Sequence, residues 1–176
     1  TVLFGRINFI FISMKNGSLL LQHPPSPLQT VESEIFARQG LRLLVKRDDL
    51  LHPHVSGNKW RKLKHNLLEA NRLGCSRLVT FGGAYSNHLA AVAAAGAAFG
   101  FATTGVVRGE KSEPLNPTLK FAGECGMELH FTSRTDFREK TNADFLEKLK
   151  IDTTGSYILP EGGTNGLAVK GCVEIL

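Results

Sequence analysis

The residues best placed to do chemistry lie in two short stretches. The first, Ser56-Gly57-Asn58-Lys59-Trp60-Arg61-Lys62, puts a primary amine just inside the start of a helix. Trp60, Leu63, Leu67 and Ala70 recur at spacings of three and four and form its apolar stripe, with Ser56 or Asn58 as the cap and Gly74 as the stop. Lys59 falls in the first turn, off that stripe, and Lys62 follows one turn later on nearly the same side. A cation there opposes the helix dipole, so something other than helix stability calls for an amine, unless the segment is only a solvated basic helix start. The second stretch is Phe81-Gly82-Gly83-Ala84-Tyr85-Ser86-Asn87-His88. Its two glycines let the backbone turn sharply and approach a ligand, the helix start that follows offers free N–H groups, and Ser86 and Asn87 add short polar side chains. His88 reads either as a base or as a structural partner. A tight turn capped by Ser86 is the plainer account of the same residues. The loop is neither a Gly-x-Gly-x-x-Gly dinucleotide fingerprint nor a Walker loop.

The elements that must carry these stretches alternate. Leu41 to Lys46 is predicted as a strand whose continuous apolar run, Leu43, Leu44 and Val45, suits a sheet covered on both faces. After the Lys59 helix come a strand over Arg77 to Phe81, an alanine-rich helix over Ser86 to Ala98 and a strand over Phe101 to Val107. A short helix with Asn116 as cap and Pro117 at its first position ends near Gly126. Met127 to Thr132 is a third strand, Arg134 to Lys150 an amphipathic helix showing Phe137, Phe145, Leu146 and Leu149, and Tyr157 to Leu159 a fourth strand. Such alternation means an α/β fold with a parallel sheet and right-handed crossovers. Ligands then collect at the carboxyl ends of the strands, where the Gly82 turn lies.

Composition narrows the function classes. With 176 residues and 42% hydrophobic content, the chain can build one ordinary domain, or one small domain and part of another. Lys and Arg exceed Asp and Glu by 21 minus 16, giving +5, and the positive charges are scattered. That favours small anionic ligands and gives little support to nucleic-acid binding. Cys75, Cys125 and Cys172 lie far apart, which indicates neither a disulfide framework nor a metal site and points to a reducing compartment. The apolar run from Ile7 to Met14 is too short to span a bilayer and lacks a small-residue cleavage site, so no membrane association is expected. Residues 1–22 are read as a leader, with Met14 as the natural start, and His23 to Pro27 as an extended proline-rich arm.

Lys46-Arg47-Asp48-Asp49-Leu50, the Ser56 to Lys62 stretch and the Gly82 to His88 stretch, in this order, closely resemble the 1-aminocyclopropane-1-carboxylate deaminase / D-cysteine desulfhydrase family. Pro160-Glu161-Gly162-Gly163-Thr164-Asn165 extends the resemblance, which runs from about Pro24 to Leu176. It implies a three-layer, tryptophan-synthase-beta-like fold with pyridoxal 5'-phosphate as cofactor. On that basis Lys59 would form the Schiff base and afterwards take a proton from the substrate carbon. Asn87 would hydrogen-bond the cofactor's 3-hydroxyl, Lys62 would neutralise part of the phosphate charge, and Ser86 would meet the substrate carboxylate or act beside the reacting carbon. Like-charge repulsion from Lys62 and Arg61 would keep part of the Lys59 amine unprotonated.

The implied activity is a lyase or deaminase reaction on a small amino acid. D-cysteine desulfhydration to a 2-oxo acid, ammonia and sulfide comes first, and aminocyclopropane ring opening is the alternative. The implied setting is cytoplasmic, with a homodimer in the full-length form. Tyr85 replaces the Gln of many family members, which bears on how the substrate carboxylate is gripped. The family's glycine-rich phosphate loop lies beyond the equivalent of Leu176, so the chain is expected to be an amino-terminal part. Residues 23–61 would begin the large cofactor-binding domain, residues 62–165 form the small parallel-sheet domain, and residues 166–176 start the return. A chain of that kind could also be an inactive fragment or a non-catalytic α/β module.

Overall fold

The computed structural model describes residues 25–55 and 57–175. The leader, the Met14 start, the first residues of the proline-rich arm, Ser56 as a cap and Leu176 lie outside the described residues. The first elements are β1 (Leu28–Val31), the short helix α1 (Glu34–Arg38) and β2 (Leu43–Lys46). The run at Leu43 to Val45 corrects the sequence reading, because β2 pairs antiparallel with β1 in a two-stranded sheet, Leu28 opposite Lys46. Every residue of both strands is exposed. A continuous apolar run marks a strand able to be covered on both faces; here the described residues cover neither.

Helix α2 (Asn58–Arg72) follows, and its start also differs from expectation. Gly57 is the N-cap, with φ 62° and ψ −145°, a conformation essentially reserved for glycine, and no side chain caps the helix. Asn58 is therefore the first helical residue. At the other end, the Cys75 N–H reaches the Ala70 carbonyl and the Gly74 N–H reaches the Asn71 carbonyl, the paired bonds of a Schellman stop.

Next come β3 (Arg77–Gly83), α3 (Asn87–Phe99), β4 (Ala102–Arg108), α4 (Pro117–Glu124) and β5 (Met127–Thr132), and the chain closes with α5 (Phe145–Lys148), β6 (Ser156–Ile158) and α6 (Gly166–Val173). Asn116 caps α4 as expected, accepting from the Thr118 and Leu119 N–H groups. The single helix expected from Arg134 to Lys150 is instead a 3₁₀ turn at Asp136–Glu139 and the four-residue α5. Ser133 takes the Asp136 N–H, and the Asn142 amide donates to Glu139, so short polar side chains compete locally with helix continuation. Phe137 and Phe145 are buried nonetheless.

The parallel sheet runs in the order β5-β4-β3-β6. Side chains alternate across it: Leu78 and Val107 join the larger core under α2, α3 and α4, while Phe81 and Val106 join a second core with Phe137, Phe145 and Ile151. Three layers result, as the family resemblance implies. The order reverses at β3, with β4 on one side and β6 on the other, so a crevice opens between the loops that leave β3 and β6. No helix among the described residues is long and apolar enough to cross a membrane.

Candidate active site

A cleft of about 620 Å³ occupies that crevice. Asn58 and Lys59 enter it from the start of α2, Ser86, Asn87 and His88 from the start of α3, and Gly162 from the turn after β6. The two stretches that carry the chemistry in the sequence are thus brought face to face. Lys62 does not line the cleft directly; its ammonium donates to the Gly162 carbonyl (3.2 Å) and the Thr164 hydroxyl (2.8 Å) at the edge. An ammonium has three donors, so one remains.

Each wall has a local cause. Gly82 lets the chain fold back so closely that a Cβ there would lie 2.6 Å from Ser86 Oγ, and this close approach seats Ser86 at the mouth of α3. The Ser86 hydroxyl oxygen accepts the Leu89 N–H at 3.3 Å, capping α3. It donates to no described residue, so its proton is available to the cleft. The amine-bearing helix is held from two sides. On one, Arg61 forms a two-pronged buried pair with Asp48 (2.5 and 2.8 Å), and Ser26 adds a hydrogen bond of 2.6 Å to the same carboxylate. On the other, Asn66, fully buried, donates to the Lys62 carbonyl (2.7 Å) and accepts from Asn165 (2.7 Å) and from the Tyr157 hydroxyl (3.0 Å).

The electrostatics suit a reactive amine. Burial, followed by repulsion from Lys62, holds the Lys59 amine below its ordinary basicity. Arg61 does not share in this, contrary to the sequence reading, because its charge is spent on Asp48. That pairing holds the Asp48 carboxyl down at about 2. His88 is 2% exposed, and burial, then Lys59 and Lys62, push its pKa down to about 4, partly offset by the Pro160 carbonyl. Apart from that weak approach of the Pro160 carbonyl, neither ring nitrogen makes a well-formed hydrogen bond to a described residue. The ring packs on Gly163, where a Cβ would come within 2.6 Å of it. A neutral, packed imidazole is a wall rather than a base, which favours the structural alternative for His88.

The sequence missed Asn58 as a cleft residue, assigning it to the cap, and missed the nearby His54, which also lines the cleft. The first could have been found from its position beside Lys59; His54 carries no local signal. Among the described residues no group of three or more His, Cys, Asp or Glu could hold a metal. The donor set does fit an anionic aldehyde cofactor: an amine of lowered basicity, a carboxamide, a hydroxyl, a helix N-terminus and no carboxylate in the lining.

No family model matches the chain. A putative 1-aminocyclopropane-1-carboxylate deaminase of Thermotoga maritima is 33% identical over 150 residues, covering 84% of this chain and 47% of that protein. A bifunctional D-cysteine desulfhydrase/1-aminocyclopropane-1-carboxylate deaminase of Arabidopsis thaliana is 30% identical, covering 88% of this chain and 40% of that protein. Among solved structures, an ACC deaminase homologue superposes with a TM-score of 0.70 at 28% identity, covering 90% of this chain and 50% of the other. An L-serine ammonia-lyase of Rhizomucor miehei, 15% identical with a TM-score of 0.60, covers 87% of this chain and 45% of its own and shares the fold. The chain spans about half the length of the curated relatives it matches.

Proposed function

The chain is related in sequence and fold to the 1-aminocyclopropane-1-carboxylate deaminase and D-cysteine desulfhydrase enzymes, and from that premise we propose a pyridoxal-phosphate-dependent lyase or deaminase acting on a small amino acid. The observation that carries this reading is that Lys59, with lowered basicity, shares one cleft with Ser86 and Asn87. Lys59 would hold the cofactor, Asn87 would hydrogen-bond its 3-hydroxyl, and the spare donor of Lys62 would face its phosphate. When bound, that group supplies an electron sink for charge developing beside the amino-acid nitrogen.

The chain's own residues supply the rest. Ser86 donates its hydroxyl proton to the substrate carboxylate and orients the amino acid. The Lys59 amine, unprotonated at lower pH than an exposed lysine, takes and holds the substrate proton at Nζ. His88, neutral at working pH, keeps a third positive charge off the same wall. For D-cysteine and one water the products are pyruvate, ammonia and hydrogen sulfide. Aminocyclopropane carboxylate is the second reading, favoured by the Thermotoga maritima relative; with one water it would give 2-oxobutanoate and ammonia. In this reading residues 62–165 are the small domain, and the natural protein is a cytoplasmic homodimer.

The test is visible absorbance of the purified full-length protein after adding pyridoxal phosphate. A yellow band that disappears in Lys59→Ala supports the reading, and a colourless protein would defeat it in favour of a non-catalytic module. Sulfide from D-cysteine, set against ammonia from aminocyclopropane carboxylate, then decides the substrate.

A further inference from the structure

A second cleft, about 440 Å³, opens on the other side of Ser86, between Tyr85, Arg108 and Arg134. Ser86 lines both clefts, so the two adjoin across a single residue. Arg108 ends β4, and Arg134 follows the end of β5 by two residues. Both guanidinium groups therefore stand at the carboxyl ends of neighbouring strands, where an open parallel sheet receives ligands. The Gly109 N–H donates to the Thr132 carbonyl at 2.8 Å and locks the two strand ends together just behind them.

Arg108 is also oriented. Its Cζ lies 5.7 Å from the centroid of the Phe137 ring, and that ring, 2% exposed, is a fixed platform. The guanidinium also lies near Gly83, where a Cβ would sit 3.5 Å from Nη2. Neither Arg108 nor Arg134 has an ion pair or hydrogen bond to a described residue; Arg42 and Arg138 share that lack, but of these four only Arg108 and Arg134 line a cleft together. Acids on the adjoining loop are engaged elsewhere: Asp136 accepts from Ser133, and Glu139 from Asn142. No carboxylate of the described residues lines this cleft.

Two guanidinium groups with no ion-pair partner among the described residues, one of them oriented by a buried ring and both beside the amino-acid site, call for an anion. We propose that Arg108 and Arg134 form a subsite for a second acidic group, so that a small amino acid ending in a carboxylate or similar anion is held more tightly than its neutral isostere. Planar guanidinium forks match such groups in a way a lysine does not, and the Tyr85 hydroxyl adds a neutral donor at the rim. This rests on the proposed function, because Ser86 must hold the ligand's first carboxylate.

The test uses the full-length protein and two probes of equal shape that differ in charge, aspartate and asparagine, in both D and L forms. Calorimetry reads their binding, and the visible band reports cofactor loading independently. In at least one stereochemical form, aspartate is expected to bind at least tenfold more tightly than asparagine. That ratio should fall to about one in the Arg108→Gln/Arg134→Gln double variant, with the visible band unchanged, and Arg108→Lys in place of Arg108→Gln should restore only part of it. Equal binding of the two probes, a ratio unmoved by the arginine substitutions, or no binding of either probe overturns the subsite. A normal visible band with any of these outcomes leaves the functional reading standing; a missing band defeats that reading instead.

Discussion

The amino-terminal hairpin and the four-stranded sheet contrast sharply, although both are rich in leucine and valine. In β3, Leu78 and Val79 are fully buried between layers. In β1 and β2, Leu28, Leu43, Leu44 and Val45 are all exposed, Leu28 by 60%. A two-stranded hairpin is marginal by itself, and this one is tied down by polar contacts: the Arg47 N–H to the Pro27 carbonyl (2.8 Å), and Asp48 with Ser26 and Arg61. The sheet is built by area burial and the hairpin by a few directed bonds. The start of α2, with its amine, is slung between them.

If that contrast is right, the polar tether on the hairpin side carries more energy than any single polar group on the sheet side. Asp48→Asn should therefore have the largest effect. It strands the buried Arg61 charge and should cost about 3–5 kcal/mol in urea unfolding. A loss under about 1 kcal/mol would mean the hairpin does not depend on this pair. Because the Asp48 carboxyl is held at about 2 against an ordinary 3.8, its contribution is complete above pH 3.8 and fades as pH falls toward 2.

The second test lies on the sheet side. His88 is depressed from 6.5 to about 4, so the unfolded chain takes up a proton that the folded chain refuses. Its contribution is complete above pH 6.5, falls as pH drops through the window, and levels off below about 4 after a total loss of about 3 kcal/mol. His52, also lowered, chiefly by burial, acts in the same direction. The difference between the parent and His88→Gln isolates one ring, and an unchanged pH slope in that variant would show His88 to be solvated.

Asn66→Ala ranks third. It leaves the Asn165 amide and the Tyr157 hydroxyl without their partner, at a cost of about 1–3 kcal/mol read by thermal melting. A visible-band change accompanying it would show that this network also sets the position of Lys59. The smallest effect is expected at Arg38→Ala, whose ion pair with Glu34 lies in solvent; no shift in the melting temperature should be measurable.

What could be read from the chain follows physical range. Gly74, Asn116 and the Met127 to Thr132 strand were legible because caps, stops and short strands depend on residues a few positions apart. The expected helix from Arg134 to Lys150 failed because its apolar spacing is real but Ser133 and Asn142 bond locally and break it. The candidate site was half legible. Lys59, Ser86, Asn87 and Lys62 announced themselves by motif, whereas their meeting depends on strand order, which no local spacing encodes.

By itself, the sequence determined the alternating elements, the amine at a helix start and the glycine turn opposite it. Only the tertiary structure decided that β6 returns beside β3 and so opens the cleft, that Arg61 is spent on Asp48 while burial lowers the basicity of Lys59, and that Arg108 and Arg134 share a cavity. Backbone preference acts over a few residues. Burial, charge pairing and sheet order act between residues that meet only when the chain is folded.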